Sequence, residues 1–293
     1  MPSLERADFG NGPRSEVELR PVAYDTARRG AASSRAAGRN ASFHCLLDLD
    51  PELAEGLEPE AWRVARAAAT ALTFEVDAGP VDADYWFSAV GRGHGLLLID
   101  GVLALNVRVG DRVSAELVGP GDVIQAASGA QADQLLACVV GWRALVPVRL
   151  ALLDGAFVKR TRFWPQMTAE LLRRTGARVV NLNVQRAIAA QPRLEVRLAL
   201  LLWHLAGRWG KVEPAGVRLP LPLTHQLLGQ LIGAERPSVS HALARLAQSG
   251  LVTGHGDEWH LHGSLEDQLP TMMVPVNDRA EQIVAAVASG RRD

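Results

Sequence analysis

Arg236, Ser238, Ser240, His241 and Arg245 place a set of hydrogen-bond donors within a short segment. They are threaded through an apolar repeat, Val239, Leu243 and Leu246, at the i, i+4, i+7 spacing of one buried helix stripe. The repeat holds the helix down, and the polar side chains take the exposed face. Arginine can grip guanine O6 and N7 bidentately, while serine and histidine can donate to base edges or to phosphates. A helix N-terminus also favours phosphate oxygens. The chemistry on offer is therefore recognition of a duplex groove. The plainer reading is a surface helix of an ordinary helical bundle.

The neighbouring elements decide between these readings. Leu227, Leu228, Leu231 and Ile232 recur at helical spacing just upstream. The Thr224 hydroxyl can accept from an amide of that helix's first turn. Gly233 ends it, because glycine adopts the left-handed conformation cheaply. Pro237 fits only the first turn of the second helix, where its missing N–H has no partner to lose. Two short helices about a glycine turn form a helix-turn-helix, whose second helix enters the DNA major groove. Downstream, Leu251–Thr253 and Trp259–His262 read as short strands around the Gly254–Asp257 turn, which predicts a wing hairpin.

These residues resemble the DNA-binding region of the CRP/FNR (cyclic-AMP receptor protein) family. The likeness is carried by Leu223-Thr224, Leu228-Gly229, Gly233, Arg236, Ser238-Val239-Ser240, Leu243, Leu246 and Gly250-Leu251. The apolar run Arg197–Ala206 is similar to the family's lead-in helix. Pro237 and His241 stand where many members carry Glu and Arg, so the resemblance does not transfer the family's usual half-site sequence.

Composition narrows the classes further. The formal net charge is −1, so any affinity for nucleic acid rests on a local patch. Histidines concentrate in the C-terminal part: His204, His225, His241, His255, His260 and His262 are six of the eight. They can titrate near neutrality beside the DNA face, or pack and cap as neutral groups, and the second role is the expected one. The two cysteines, Cys45 and Cys138, fit no zinc or iron–sulfur spacing, which suits a reducing cytoplasm. The pair His44-Cys45 is read as structural rather than as a haem ligand set. Met1–Gly12 lacks the apolar core of a signal peptide, and Leu198–Ala206 is too short to span a bilayer.

Along the chain, residues 1–41 form an arm rich in Arg, Gly, Ala and Ser, with Arg28, Arg29, Arg35 and Arg39 able to meet DNA or acidic protein. A helix is expected over Glu60–Ala69. Strands are expected at Leu72–Val76, Tyr85–Ala89, Gly95–Ile99, Val102–Val107, Arg112–Val118, Leu135–Val140 and Ala144–Val148, cut by glycine-bearing turns. Leu97–Val107 and Gly119-Pro120-Gly121-Asp122 resemble the β-roll sensor domain of the same family. In cyclic-nucleotide-binding relatives a Gly-Glu pair and an Arg follow this turn and hold ribose and phosphate. Here Gln125 and Ala126 occupy the Gly-Glu position, and no Arg or Lys lies between Val113 and Trp142. A buried phosphate needs a cation or several directed donors. Cyclic nucleotide is therefore not expected to bind in the family's way, no cofactor is assigned, and the effector is unknown.

A short helix is expected over Leu150–Phe157, and the basic knot Lys159, Arg160 and Arg162 is read as a solvated face. Pro165 then starts a helix running to about Ala190, where Thr168, Leu172, Thr175, Val179, Leu182, Arg186 and Ala189 alternate steps of four and three as an imperfect coiled-coil seam. The resemblance implies that this helix joins two subunits. Ile283, Val284 and Val287 suggest a terminal helix.

The expected organisation is α+β. Residues 1–41 are the arm, 42–160 an antiparallel β-roll (jelly-roll) domain like the cyclic-nucleotide-binding domain, 161–190 a long dimerisation helix, 191–264 a winged helix-turn-helix domain and 265–293 a C-terminal extension. The expected function is a cytoplasmic, bacterial-type, homodimeric transcription regulator that binds double-stranded DNA at an inverted repeat. Arg236, Ser238, Ser240 and His241 are expected at base edges or nearby phosphates, and Thr224, His225 and Arg245 at phosphates. RNA polymerase is a candidate partner and a membrane is not. The alternative is a winged-helix module that binds the transcription machinery without specific DNA contact. An enzyme ranks last, since no nucleophile motif, metal cluster or phosphate loop is present.

Overall fold

The computed structural model describes residues 39–82, 84–125, 138–255 and 257–268. Strand-forming runs broken by tight turns build the first half. One five-stranded sheet has the order β1 (Arg39–Cys45), β2 (Thr70–Val76), β9 (Val148–Leu153), β4 (Gly95–Asp100), β7 (Val123–Ile124). A four-stranded sheet has the order β3 (Gly79–Val81), β8 (Cys138–Ala144), β5 (Leu103–Val109), β6 (Arg112–Val118). Every strand pairing is antiparallel, as expected of a roll. Alternation along the strands sends Phe74, Leu96, Leu98, Leu103, Ile124 and Leu150 into the space between the sheets. Burying each such side chain contributes about 1.5–3 kcal/mol.

A second apolar layer lies outside the first sheet. Leu97, Ala151 and Leu153 pack there with α1 (Leu46–Leu49), α2 (Pro59–Ala68), α4 (Gly155–Thr161) and the start of α5 (Pro165–Ala189). Pro165 opens α5 as the sequence predicts. The helix is fixed by buried Arg174, whose Nε donates to Glu170 at 2.6 Å and whose Nη2 donates to Asp50 at 3.0 Å. Further along, Arg178 clasps Glu116 of β6 at 2.7 and 2.8 Å.

The second half is helical with a small sheet. It comprises α6 (Leu194–Trp209), α7 (His225–Ile232), α8 (Arg236–Gln248) and a sheet ordered β10 (Lys211–Glu213), β11 (Gly216–Leu219), β13 (Glu258–His262), β12 (Val252–His255). Its core is continuous with the outer face of the second roll sheet: Val102, Ala104, Ala115 and Leu117 share one buried cluster with Leu198, Leu202, Leu227 and Leu231. The Gln185 side-chain amide of α5 completes the junction, donating to Ala115 O at 2.7 Å and to Leu231 O at 2.9 Å. Two domains are thus packed on each other and on α5.

Several expectations change. Tyr85–Ala89 is not a strand but part of α3 (Asp84–Val90). Its aromatic composition favours strands, yet Trp86 and Val90, one helical turn apart, are both buried against the roll core, and Trp86 stacks on Phe74 with centroids 3.4 Å apart. The helix expected over Leu150–Phe157 is instead the end of β9 followed by α4, which starts at Gly155 behind an Asp154 cap donating nothing but accepting from Phe157 N at 2.7 Å. Ala144–Val148 is the joint between β8 and β9 rather than a strand. Arg39 and Asn40, placed in the arm, begin β1, with Arg39 paired to Asp77. The remaining arm arginines, Ala126, most of the expected strand Leu135–Val140 before Cys138, and Ile283, Val284 and Val287 lie outside the described residues.

Candidate nucleic-acid interface

The helix pair is built by local rules. Thr224 caps α7, its hydroxyl accepting from Leu227 N at 3.2 Å. Gly233 sits at φ 69° and closes the helix in the left-handed conformation. Gly229 allows the two helices to approach: an added Cβ would stand 2.4 Å from the Ala234 carbonyl oxygen. Then α8 begins at Arg236 with Pro237 in its first turn, and buries Val239, Ala242, Leu243 and Leu246. The wing is the hairpin β12–β13, in register from Val252↔Leu261 to His255↔Glu258. The strands β10 and β11, which the sequence reading passed over, extend it, and Arg218 of β11 is held by Glu213 and Glu258 at 2.7 Å each.

The donors divide into two groups. Arg236, Ser238 and His241 are exposed on the first turns of α8, and within the described residues they engage no side-chain partner. The others are held. Ser240 Oγ lies 2.8 Å from His225 Nδ1 and 3.1 Å from the Arg236 carbonyl oxygen, so its hydroxyl is held between the two helices of the pair. Arg245 pairs with Glu195 of α6, and Thr224 is engaged as the cap. Two acidic neighbours of these groups carry no signal in the sequence. Glu195 is one. The other is Glu235, immediately before α8, which pairs with Arg112 in the turn-side end of β6. Such pairs join residues far apart in the chain and leave no periodic trace.

His204, His225 and His262 are used in packing and pairing, whereas His241 is exposed. Burial, and next to it the charge of Arg208, lowers the His204 pKa. His262 Nε2 lies 2.9 Å from Thr253 Oγ1. Among the described residues no group of His, Cys, Asp and Glu side chains is arranged to hold a metal ion, and no helix is long and apolar enough to cross a membrane.

A β-roll joined through a long helix to a winged helix-turn-helix defines the class. Residues 196–262 match the model of the Crp-like helix-turn-helix domain. A CRP-like cAMP-activated global transcriptional regulator of Mycobacterium tuberculosis is 33% identical over 92 residues, 31% of this chain and 41% of that protein, so less than half of that relative's length is spanned. The global nitrogen regulator of Synechococcus elongatus is 24% identical over 165 residues, 54% of this chain and 72% of that protein. Among solved structures, FixK2 from Bradyrhizobium japonicum superposes with a TM-score of 0.52 at 16% identity, covering 70% of this chain and 98% of that one. A cyclic nucleotide-binding domain containing protein from Listeria monocytogenes gives 0.54 at 13% identity, covering 75% and 98%. These likenesses show the fold. Residues 196–262 are thus a Crp-like helix-turn-helix domain, and the β-roll that precedes them has the fold of these solved structures.

Proposed function

We propose that the protein is a homodimeric transcription regulator that binds double-stranded DNA at an inverted repeat. The observation that carries this reading is the row Arg236, Ser238 and His241, exposed and unengaged on the first turns of the second helix in a Crp-like helix-turn-helix. In that motif the N-terminal residues of the second helix meet base edges. Arg236 reads a guanine, and Ser238 and His241 contact adjacent base edges or phosphates. Ser240, Thr224, His225 and Arg245 border this row and contribute phosphate contacts, Arg245 by exchanging Glu195 for the duplex.

Dimer formation is assigned to α5. Its outward face carries Leu172 (62% exposed), Val179 (53%), Val180 (61%) and Val184 (40%), apolar groups that a second copy of the helix would cover. This stripe overlaps the expected seam at Leu172 and Val179, whereas Leu182 turns toward its own chain and is half-buried. Two-fold pairing would set two α8 helices one turn of DNA apart.

The effector is assigned to a class other than cyclic nucleotide bound in the family's way. Gln125 and Ala126 stand where the family's Gly-Glu pair would be, so the acidic ribose ligand is absent from the sequence there, and the roll interior is packed with apolar side chains, including the Phe74–Trp86 stack. Action in the cytoplasm, and contact with RNA polymerase, complete the proposal.

The test is fluorescence anisotropy with a labelled duplex across a salt series. Affinity falls steeply as salt rises, because phosphate contacts release counterions. Arg236→Ala weakens binding by about 1–3 kcal/mol. Binding that ignores both salt and this substitution contradicts the reading.

A further inference from the structure

The outer face of the β8–β5–β6 sheet and the start of α7 enclose a cleft of about 510 Å³. We propose that this cleft binds a small oxyanion that also bears a hydroxyl group, of the hydroxycarboxylate or polyol-phosphate class.

Strand register builds the floor. Asn106 of β5 is paired with Gly141 of β8 and Ala115 of β6; Ala104 faces Arg143, and Arg108 faces Val139. Partners across a ladder point to the same side, as do alternate residues along a strand. Arg143, Asn106 and Arg108 therefore rise from one face, with the arginines at opposite ends and the amide between them. Four residue steps separate the two ends, roughly 13 Å along the strands, and each guanidinium can swing inward over the gap. The opposite wall is polar too, with Thr224, Gln226 and Gln230.

Three features point to a ligand. The first is charge. Among the described residues no carboxylate lines the cleft, and neither the Arg108 nor the Arg143 side chain has a hydrogen-bond or ion-pair partner. Elsewhere Arg174, Arg178 and Arg208 each face a carboxylate: Arg174 pairs with Asp50 and Glu170, and in a second cleft Arg178 pairs with Glu116 and Arg208 with Asp122. Second, Asn106 Oδ1 is buried with no hydrogen-bond partner. Buried polar atoms are nearly always satisfied, and a ligand hydroxyl can satisfy this amide in either orientation. Third, the space is open at the centre: a Cβ added to Gly141 would meet no atom within 4 Å. Paired arginines suit carboxylate or phosphate, which they bind with bidentate, charge-assisted hydrogen bonds. The cleft lies on the opposite side of the sheet from the roll interior, and its two walls belong to different domains. A ligand there touches both the roll and the first helix of the helix-turn-helix.

Isothermal titration of the full chain, at constant ionic strength set with sodium chloride, uses citrate and inorganic phosphate as probes. Saturable uptake of at least one probe is expected. Arg108→Gln and Arg143→Gln, both at exposed side chains, should each weaken it at least tenfold, and Gly141→Leu should abolish it by filling the cleft. Thermal melts verify that each variant is folded, and the two arginine variants decide the matter if Gly141→Leu is not. No saturable uptake of either probe, or uptake unchanged in the double arginine variant, overturns the proposal. So does a double variant that loses DNA affinity with a shallower salt slope while neither probe binds, since the arginines would then serve the duplex backbone.

Discussion

His225 Nδ1 lies 2.8 Å from the Ser240 hydroxyl oxygen, which ties the first helix of the helix-turn-helix to the second. The same oxygen lies 3.1 Å from the Arg236 carbonyl. Ser240 thus stands among the expected DNA contacts while its hydroxyl is engaged at both ends. Ser240→Ala should cost about 1 kcal/mol of stability in urea unfolding, the usual worth of one such bond. It should lower DNA affinity without changing base preference. A changed base preference would give Ser240 a direct reading role.

Arg245 and Glu195 form an ion pair, with the arginine largely exposed. Exposed pairs contribute little to stability, about 0–1 kcal/mol. Glu195→Gln should leave the melting curve nearly unchanged and tighten DNA binding, because the guanidinium no longer has to leave a carboxylate. Arg245→Ala should reduce the slope of log affinity against log salt by about 1. Salt titrations of the two variants check both outcomes.

Glu170 carries a pH dependence of known sign. Hydrogen bonds from Arg173 and then Arg174 outweigh its burial and lower its pKa to about 2 from an ordinary value of 4.5. A carboxyl depressed in the fold stabilises it fully above the ordinary pKa, and that stabilisation is lost as pH falls toward the folded value. Urea midpoints should therefore drop between about pH 4.5 and 2, and Glu170→Gln should flatten that part of the profile while losing stability at pH 7. The helix α5 is the element at stake, since Arg174 links Glu170 to Asp50 across the domain.

The exposed stripe of α5 makes a separate prediction. Val179 is exposed in the protomer, so Val179→Glu creates no clash within it. A charge placed in an apolar helix seam opposes pairing. Sedimentation velocity should show a dimer for the natural chain and a folded monomer for the variant. DNA affinity should fall with it, as one half-site is lost.

Much of this was legible in the sequence where local chemistry sets structure. Thr224, Gly233 and Pro237 mark the helix ends, and the apolar spacing of Leu227–Ile232 and Val239–Leu246 marks their buried faces. Arg112–Val118 reads as a strand and is one, with the same bounds. Long-range burial was not legible. The segment around Trp86 has the composition of a strand, but a helical turn buries both Trp86, stacked on the Phe74 ring, and Val90 against the roll. Likewise Leu150–Leu153 is apolar enough for helix or strand, and pairing with β2 and β4 decides for strand. At the candidate site the donors could be named, but their partners could not. Glu195 and Glu235 reach Arg245 and Arg112 from other elements, and the cleft at Asn106 exists only once α7 lies over the roll.

Selection of bound sequences from a randomised duplex pool tests the recognition face most directly. The natural chain should enrich an inverted repeat whose half-sites are centred one helical turn apart. Arg236→Ala should relax the preference at one base pair of each half-site and leave the rest. Absence of any enriched sequence, or a motif identical in the two proteins, would contradict the assignment of Arg236 to the DNA groove.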